Sequence, residues 1–129
     1  MFPENYQYLL TDEKRAICFL ATVMPDGSPQ VTPVWFSYSN NELKINTRRG
    51  RVKEKNMSAR PRVALLIQDP DSTLRFLQVR GVATGPIEEG AVDHIEALSQ
   101  KYDGKPFRSI RPDEERVMFT IEPSSISTD

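Results

Sequence analysis

The chain has 129 residues, 38% hydrophobic and 27% charged, with a formal net charge of −1. That length and composition describe one globular domain, residues 1–129, large enough for a real core. No apolar run approaches the ~20 residues of a membrane span, and the opening MFPENYQYLL has neither a basic region nor a long apolar stretch, so no signal peptide is expected.

Taken in chain order, residues 5–16 read as a short helix. Residues 17–23 form a continuous apolar run rich in branched and aromatic side chains, a buried strand. Pro25-Asp26-Gly27-Ser28 is a strong turn signal, and residues 30–38 then alternate, so the two runs make a hairpin. Pro33 inside the second run cannot donate to a ladder, which marks an edge or a bulge. Ser39 to Glu42 turn the chain again, into a third strand over 43–47. A basic segment with a short helix near 51–58 follows, then a fourth strand over 62–68.

After the turn Asp69-Pro70-Asp71-Ser72, residues 74–84 are long enough for a bent strand, with Gly81 at the bend. Residues 88–102 read as a helix whose apolar positions Ala91, Ile95, Leu98 and Tyr102 fall on one face. Glu88 and Glu89 suit its positive end, and Gly104 and Pro106 stop it. Residues 116–122 are the last strand. Six strands with accessory helices, the first three joined by tight turns, predict a mainly β fold: an antiparallel sheet or small barrel. No G-x-G-x-x-G or Walker-type glycine loop occurs, so the usual nucleotide folds are unsupported.

The chain's charge is unevenly spread. Residues 48–62, RRGRVKEKNMSARPR, hold seven basic residues and one acid, so the window sits at +6 and the remainder at −7. Such a concentration on an otherwise acidic chain predicts an anion site, although a solvated charged face has the same composition. Thr47 adds a hydroxyl and Gly50 a flexible backbone that permits close approach of a ligand. A phosphate at a strand end, held by a hydroxyl, arginines and helix-opening amides, fits the layout. The single Cys18 and single His94 exclude ordinary Cys/His zinc sites, and no metal site is expected. Cys18 lies in an apolar run and reads as a buried, inert thiol. The absence of an intrachain disulfide fits the cytoplasm.

The hairpin FLATVMPDGSPQVTPVWFSY followed by INTRRGRVKEKNMSARPRVAL resembles the pyridoxamine-phosphate-oxidase-like split-barrel family, closest to its small flavin- or deazaflavin-dependent branch. The resemblance covers roughly residues 17–84 and implies a six-stranded antiparallel split barrel of the FMN-binding type. It also implies a homodimer with two cofactors in grooves at the interface. Carried over, Thr32, Pro33, Val34 and Trp35 lie along the flavin or deazaflavin ring. Thr47, Arg51 and Lys53 hold the phosphate, joined by Asn56, with Arg48 and Arg49 at the mouth of the groove. Phe76, Gln78 and Arg80 on the fifth strand reach in from the second subunit. For Arg80 an ordinary strand-surface charge is the commoner reading, and for Trp35 core packing explains the residue equally.

The resemblance implies an oxidoreductase passing a hydride between FMN or the deazaflavin coenzyme F-420 and a small organic substrate. The ring carries the chemistry, and the protein orients it and excludes water. No side chain stands out as acid or base; Arg80, Tyr38 and bound water are the candidates. A deazaflavin has a longer anionic tail and would use a more extended basic surface. The vitamin B6 oxidase proper carries a C-terminal segment rich in arginine and tryptophan. This chain reads IEPSSISTD there, so oxidation of pyridoxamine phosphate is not expected. Two other classes remain open: a flavin carrier or sensor without a dedicated substrate, and a nucleic-acid-binding β-barrel. The net acidic chain and the single short basic window weigh against nucleic acid.

Overall fold

The computed structural model describes residues 1–129. Seven strands form a single antiparallel sheet in the order β2-β1-β5-β6-β7-β4-β3. They are β1 (Ile17–Val23), β2 (Pro29–Val34), β3 (Phe36–Ser39), β4 (Glu42–Arg48), β5 (Arg62–Gln68), β6 (Phe76–Ile87) and β7 (Arg116–Thr128). Two α-helices accompany the sheet, α1 (Val52–Ala59) and α2 (Ala91–Asp103). No helix is long and apolar enough to cross a membrane.

The expected second strand is two strands. β2 pairs with β1, in register Cys18↔Val34, while β3 pairs with β4, in register Phe36↔Ile45. These two strands are the opposite edges of the sheet, yet only Trp35 separates them in the chain. The sheet is therefore curled, and its edges meet through a covalent link, not through a hydrogen-bonded seam. This is the split of a split barrel, with seven strands where six were expected. Pro33 fits its place, because an edge strand needs no second ladder of N–H donors.

The last turn of α2 fixes the break. Lys101 Nζ donates to Phe36 O at 2.9 Å, and the Tyr102 hydroxyl donates to Ala16 O at 2.9 Å. The Tyr102 ring stacks on Trp35 at 5.3 Å and 7°. Backbone groups that leave a ladder must find other partners; here a buried lysine supplies one.

The interior is a cluster drawn from every part of the sheet, including Leu20, Phe36, Ile45, Leu65, Val79 and Phe119, with Met57 of α1. Gly81 sits where β7 approaches β6 closely, and the extra residue of the register shift there, Ser124, is on β7. A Cβ at Gly81 would sit 2.3 Å from Glu122 O. The N-terminal helix is shorter than expected, a 3-10 helix over Glu4–Leu10 whose Tyr6, Leu9 and Leu10 are buried. α2 opens at Ala91, after Gly90 at φ 81°, and closes at Gly104 at φ 68°, whose N–H bonds back to Ser99 O and Gln100 O. β7 runs beyond the expected 122 because its second half pairs with β6 as far as Thr128.

Candidate functional site

A cavity of about 640 Å³ opens where the β2–β3 break faces the end of β4 and the start of α1. Pro33, Val34 and Trp35 line one part of it, and Thr47, Arg48, Arg51 and Lys53 another. The two stretches are joined in space because β2 and β3–β4 are the sheet's two edges. Local chain chemistry sets the basic part. β4 ends at Arg48, Gly50 turns the chain at φ 97°, and α1 begins after Arg51. The Gly50 amide is taken by Glu54 Oε1 at 2.8 Å, and Gly50 is not among the lining residues. It therefore serves the turn, not close approach to a ligand.

Lys53 is only 9% exposed, and its ammonium makes no hydrogen bond or ion pair with the protein. Burial, then Arg51, then Arg116 hold its ammonium below the ordinary lysine value. A nearly buried cation facing other cations is costly unless an anion joins it. Thr47 is 5% exposed and lines the same wall.

The other candidates lie elsewhere. Arg49 is outside the lining, held by Glu115 at 2.6 Å and Glu88 at 2.9 Å. Asn56 is 2% exposed; its Nδ2 donates to Thr22 Oγ1 at 2.9 Å and its Oδ1 accepts from Arg60 at 3.1 Å. It ties α1 to β1. Thr32 is not a lining residue either, although its hydroxyl oxygen is buried without a hydrogen-bond partner. Phe76, Gln78 and Arg80 lie on β6 away from the cavity, with Gln78 and Arg80 exposed. Tyr38 packs edge-on against Phe2 at 5.3 Å and borders a second, smaller cavity.

Several lining residues were not assigned to the site from the sequence. Ile95 and Tyr102 of α2 and Cys18 of β1 supply apolar wall. Burial pushes the Cys18 thiol up to about 12, so it is the inert thiol expected. Phe107, Arg108 and Arg111 enter from the segment between α2 and β7, with Arg116 at the start of β7. Arg15, just before β1, completes the charged lining. No acidic side chain lines the cavity. The only signal of this second basic group was the scatter of arginines over 108–116, which is interrupted by acids and carries little net charge.

A buried polar relay orients this wall. Asn46, 9% exposed, accepts from Arg116 Nε and Nη2 at 3.0 and 2.8 Å through Oδ1. Its Nδ2 donates to Ala91 O at 2.8 Å and to His94 Nδ1 at 3.1 Å. The guanidinium can only donate, so the amide orientation is fixed and His94 Nδ1 must accept. The imidazole proton is then on Nε2, which donates to Ser37 Oγ at 2.9 Å. Burial, with Lys44 adding a like charge, pushes His94 down to about 4, so it is neutral at pH 7.

Fold and cavity together define a split-barrel protein whose open cleft has the donors to take an anionic ligand beside an aromatic wall. The chain belongs to the pyridoxamine 5'-phosphate oxidase family, whose model matches residues 2–128. Among solved structures it is similar to an F420 reductase, at 33% identity and a TM-score of 0.86 over 98% of each chain. General Stress Protein 26 from Bacillus anthracis shares the fold at 20% identity, with a TM-score of 0.69 over 96% of this chain and 93% of that one. So does a heme storage protein from Vibrio cholerae, at 17% identity and a TM-score of 0.69, over 99% of this chain and 95% of that one.

Proposed function

We propose that the protein is an oxidoreductase that binds coenzyme F-420 in this cleft, with FMN as the competing ring cofactor. The observation that carries the reading is the cavity itself, which joins the Pro33–Val34–Trp35 backbone to Thr47, Arg51 and Lys53 and has no acid in its lining. The fit is good on two grounds. A cleft of about 640 Å³ lies within the range of small-molecule sites. The buried Lys53 ammonium and the Thr47 hydroxyl are donors without a protein acceptor, which suits a phosphate. The opening of α1 directly after Arg51 adds the positive end of a helix. Likeness to an F420 reductase over the whole chain favours the deazaflavin over FMN.

In this reading Thr47, Arg51 and Lys53 hold the phosphate and Arg48 stands at its edge. Pro33, Val34 and Trp35 lie along the ring. When bound, the ring supplies hydride transfer to or from a small organic substrate. The chain's own residues orient and dry the site. The Trp35–Tyr102 stack is a rigid apolar wall, and the His94–Asn46–Arg116 relay holds a guanidinium in place without adding a titrating group near pH 7. The dimer expected from the family would bring the exposed face of β6, with Phe76, Gln78 and Arg80, to a partner's cleft.

The test is a titration of the purified protein with F-420 and with FMN separately, followed by fluorescence at moderate salt. Saturable binding of F-420, tighter than FMN, supports the reading. Binding of neither ring overturns it. Sedimentation of the bound form at twice 14.7 kDa would support the dimer, and at 14.7 kDa would remove it. Turnover of a substrate separates an enzyme from a carrier.

A further inference from the structure

The cleft has two ends of different chemistry. At one, Arg51 and Lys53 stand where α1 opens, and α1 is fastened to the last residues of β1, by Asn56 to Thr22 Oγ1 at 2.9 Å and by Arg60 Nε to Val23 O at 2.8 Å. Arg15 lines the cleft just before the first residues of β1. A strand advances about 3.3 Å per residue and a helix about 1.5 Å. The steps from Arg15 to Thr22 therefore separate Arg15 from the phosphate wall by more than the single helical turn from Asn56 back to Lys53 can recover.

The walls at the Arg15 end are apolar and flat. The Tyr102 hydroxyl donates to Ala16 O at 2.9 Å, which fixes the tyrosine next to Arg15, and Trp35 stacks on its ring at 5.3 Å and 7°. Ile95 lies two turns before Tyr102 on the same face of α2, and Ile17 opens β1; both line the cleft. The stack covers one face of Trp35, so the cleft receives its free face or its edge. A planar conjugated ligand gains most against such a wall, by offset stacking or edge contact.

Arg15 is the cation of this end, and nothing in the protein takes its charge. Its guanidinium makes no hydrogen bond or ion pair, and no acid lines the cleft. Its neighbours show the alternative: Lys14 is held by Asp69 and Asp71, and Asp12 lies 3.8 Å from Lys101 Nζ. Arg15 is also held at φ 50°, a left-handed conformation that glycine or asparagine takes more readily than arginine. An unpaired planar fork at one end of a stacking wall matches an oxyanion carried in the plane of a conjugated ring.

We infer that Arg15, Trp35 and Tyr102 form a substrate subsite for a planar conjugated acid, an aromatic ring bearing a carboxylate, with Arg15 setting the preference for the charged ligand over its neutral counterpart. The inference deepens the proposed function and rests on it for the redox role of the site. Recognition of the acid needs only this chain's own residues.

The experiment measures binding of 4-nitrobenzoate and of its uncharged counterpart 4-nitrobenzamide by calorimetry, to the F-420-saturated and to the unliganded protein. Trp35 is the only tryptophan of the chain, so quenching of its fluorescence in the unliganded protein reports whether a probe reaches the stack. The variant is Arg15→Gly, which removes the guanidinium and suits the left-handed backbone, so it should fold; thermal melting checks this, and Arg15→Asn is the second variant. The expected result is that 4-nitrobenzoate quenches Trp35 and binds the variant at least about tenfold more weakly, with 4-nitrobenzamide and F-420 within about twofold. The inference is overturned if 4-nitrobenzoate fails to bind the wild type, binds without quenching Trp35, or weakens no more than the amide does. It is overturned too if F-420 itself loses about tenfold in the variant, since Arg15 would then serve the cofactor. Arg51→Ala with Lys53→Ala is the control: loss of 4-nitrobenzoate there, with none in Arg15→Gly, puts the probe on the phosphate wall and also overturns the inference. If the wild type binds no ring ligand, the cofactor reading fails, and the titration of the unliganded protein still decides the subsite.

Discussion

The cavity wall and the ion-paired surface around it are made from the same residue types and reach opposite ends. At the turn after β5, Lys14 lies 3.1 Å from Asp69 and 2.8 Å from Asp71, and Tyr8 donates to Asp69 while accepting from Arg75 at 3.2 Å. Beside the cavity, Arg49 is held between Glu88 and Glu115. Inside it, Arg51 and Lys53 have no acidic partner, although they stand only two and four residues from Arg49. A cation paired within the protein contributes to the fold and has little left for a ligand. An unpaired cation in a cleft stores repulsion and desolvation that an anion relieves. Pairing, not residue type, separates structure from site.

The sharpest way to break this contrast is at Glu114, the one carboxylate that joins both worlds. Glu114→Ala strands Arg108 and Arg116 in a partly buried wall, and the expected cost is about 3 kcal/mol in urea denaturation. A cost near that of an exposed ion pair would mean that solvent already screens the group.

Removing the unpaired cations should act on binding and spare the fold. Arg51→Ala with Lys53→Ala is expected to weaken phosphorylated ring ligands about 100-fold, from the loss of charge-assisted hydrogen bonds. Lys53→Met alone should leave the unliganded protein as stable or more stable, because a desolvated cation among cations is gone. Unchanged affinity for both FMN and F-420 in the double variant would remove the phosphate assignment.

The pH dependence sharpens the contrast differently. His94 is pushed from 6.5 down to about 4, so between those values the unfolded chain carries a proton that the folded chain does not. Stability therefore rises with pH across that window and is lost as pH falls through it. Thermal melts from pH 7 to 4 should show this slope, and His94→Gln should flatten it. Asp69 behaves in a lower window. The Tyr8 hydroxyl first, then the Asp71 amide and then Lys14, hold its carboxyl down to about 2, from 3.8, so its contribution is present above about 4 and lost toward 2. Asp69→Asn should flatten only that lower part.

The smallest effect belongs to Arg49. Arg49→Ala is expected to leave ligand affinity within about twofold, since an exposed paired arginine outside the cleft has no ligand to hold. A tenfold loss would place Arg49 in the site after all, and the distinction drawn between paired and unpaired cations would fail.

Much of this was legible in the sequence, because the signals were local. The apolar run of β1, the Pro25 to Ser28 turn and the Gly104 stop each follow from residues within a few positions of one another. So did the basic corner of Thr47, Arg48, Arg51 and Lys53, all of which line one cavity. Reading charge alone could not separate Arg49 from Arg51, because the partners Glu88 and Glu115 are 39 and 66 positions away in the chain. Nor could it show that Asn56 is used up by Thr22 and Arg60. The break at Trp35 was hidden for a similar reason. Residues 30–38 alternate as one strand, and only the curl of the sheet sends the two halves to opposite edges.

What the sequence determined by itself was most of the elements, though not the break at Trp35, and one dense cluster of charge, since helix periods, turn residues and net charge are properties of neighbours along the chain. What only the tertiary structure decided was which charges are satisfied. Hydrogen bonds and ion pairs form between groups that the fold brings within about 3 Å, whatever their separation in sequence. Glu114 saturates itself on Arg108, Arg116 and the Arg111 amide, and leaves the Arg111 side chain open in a cleft that also holds Lys53 from the other side of the chain.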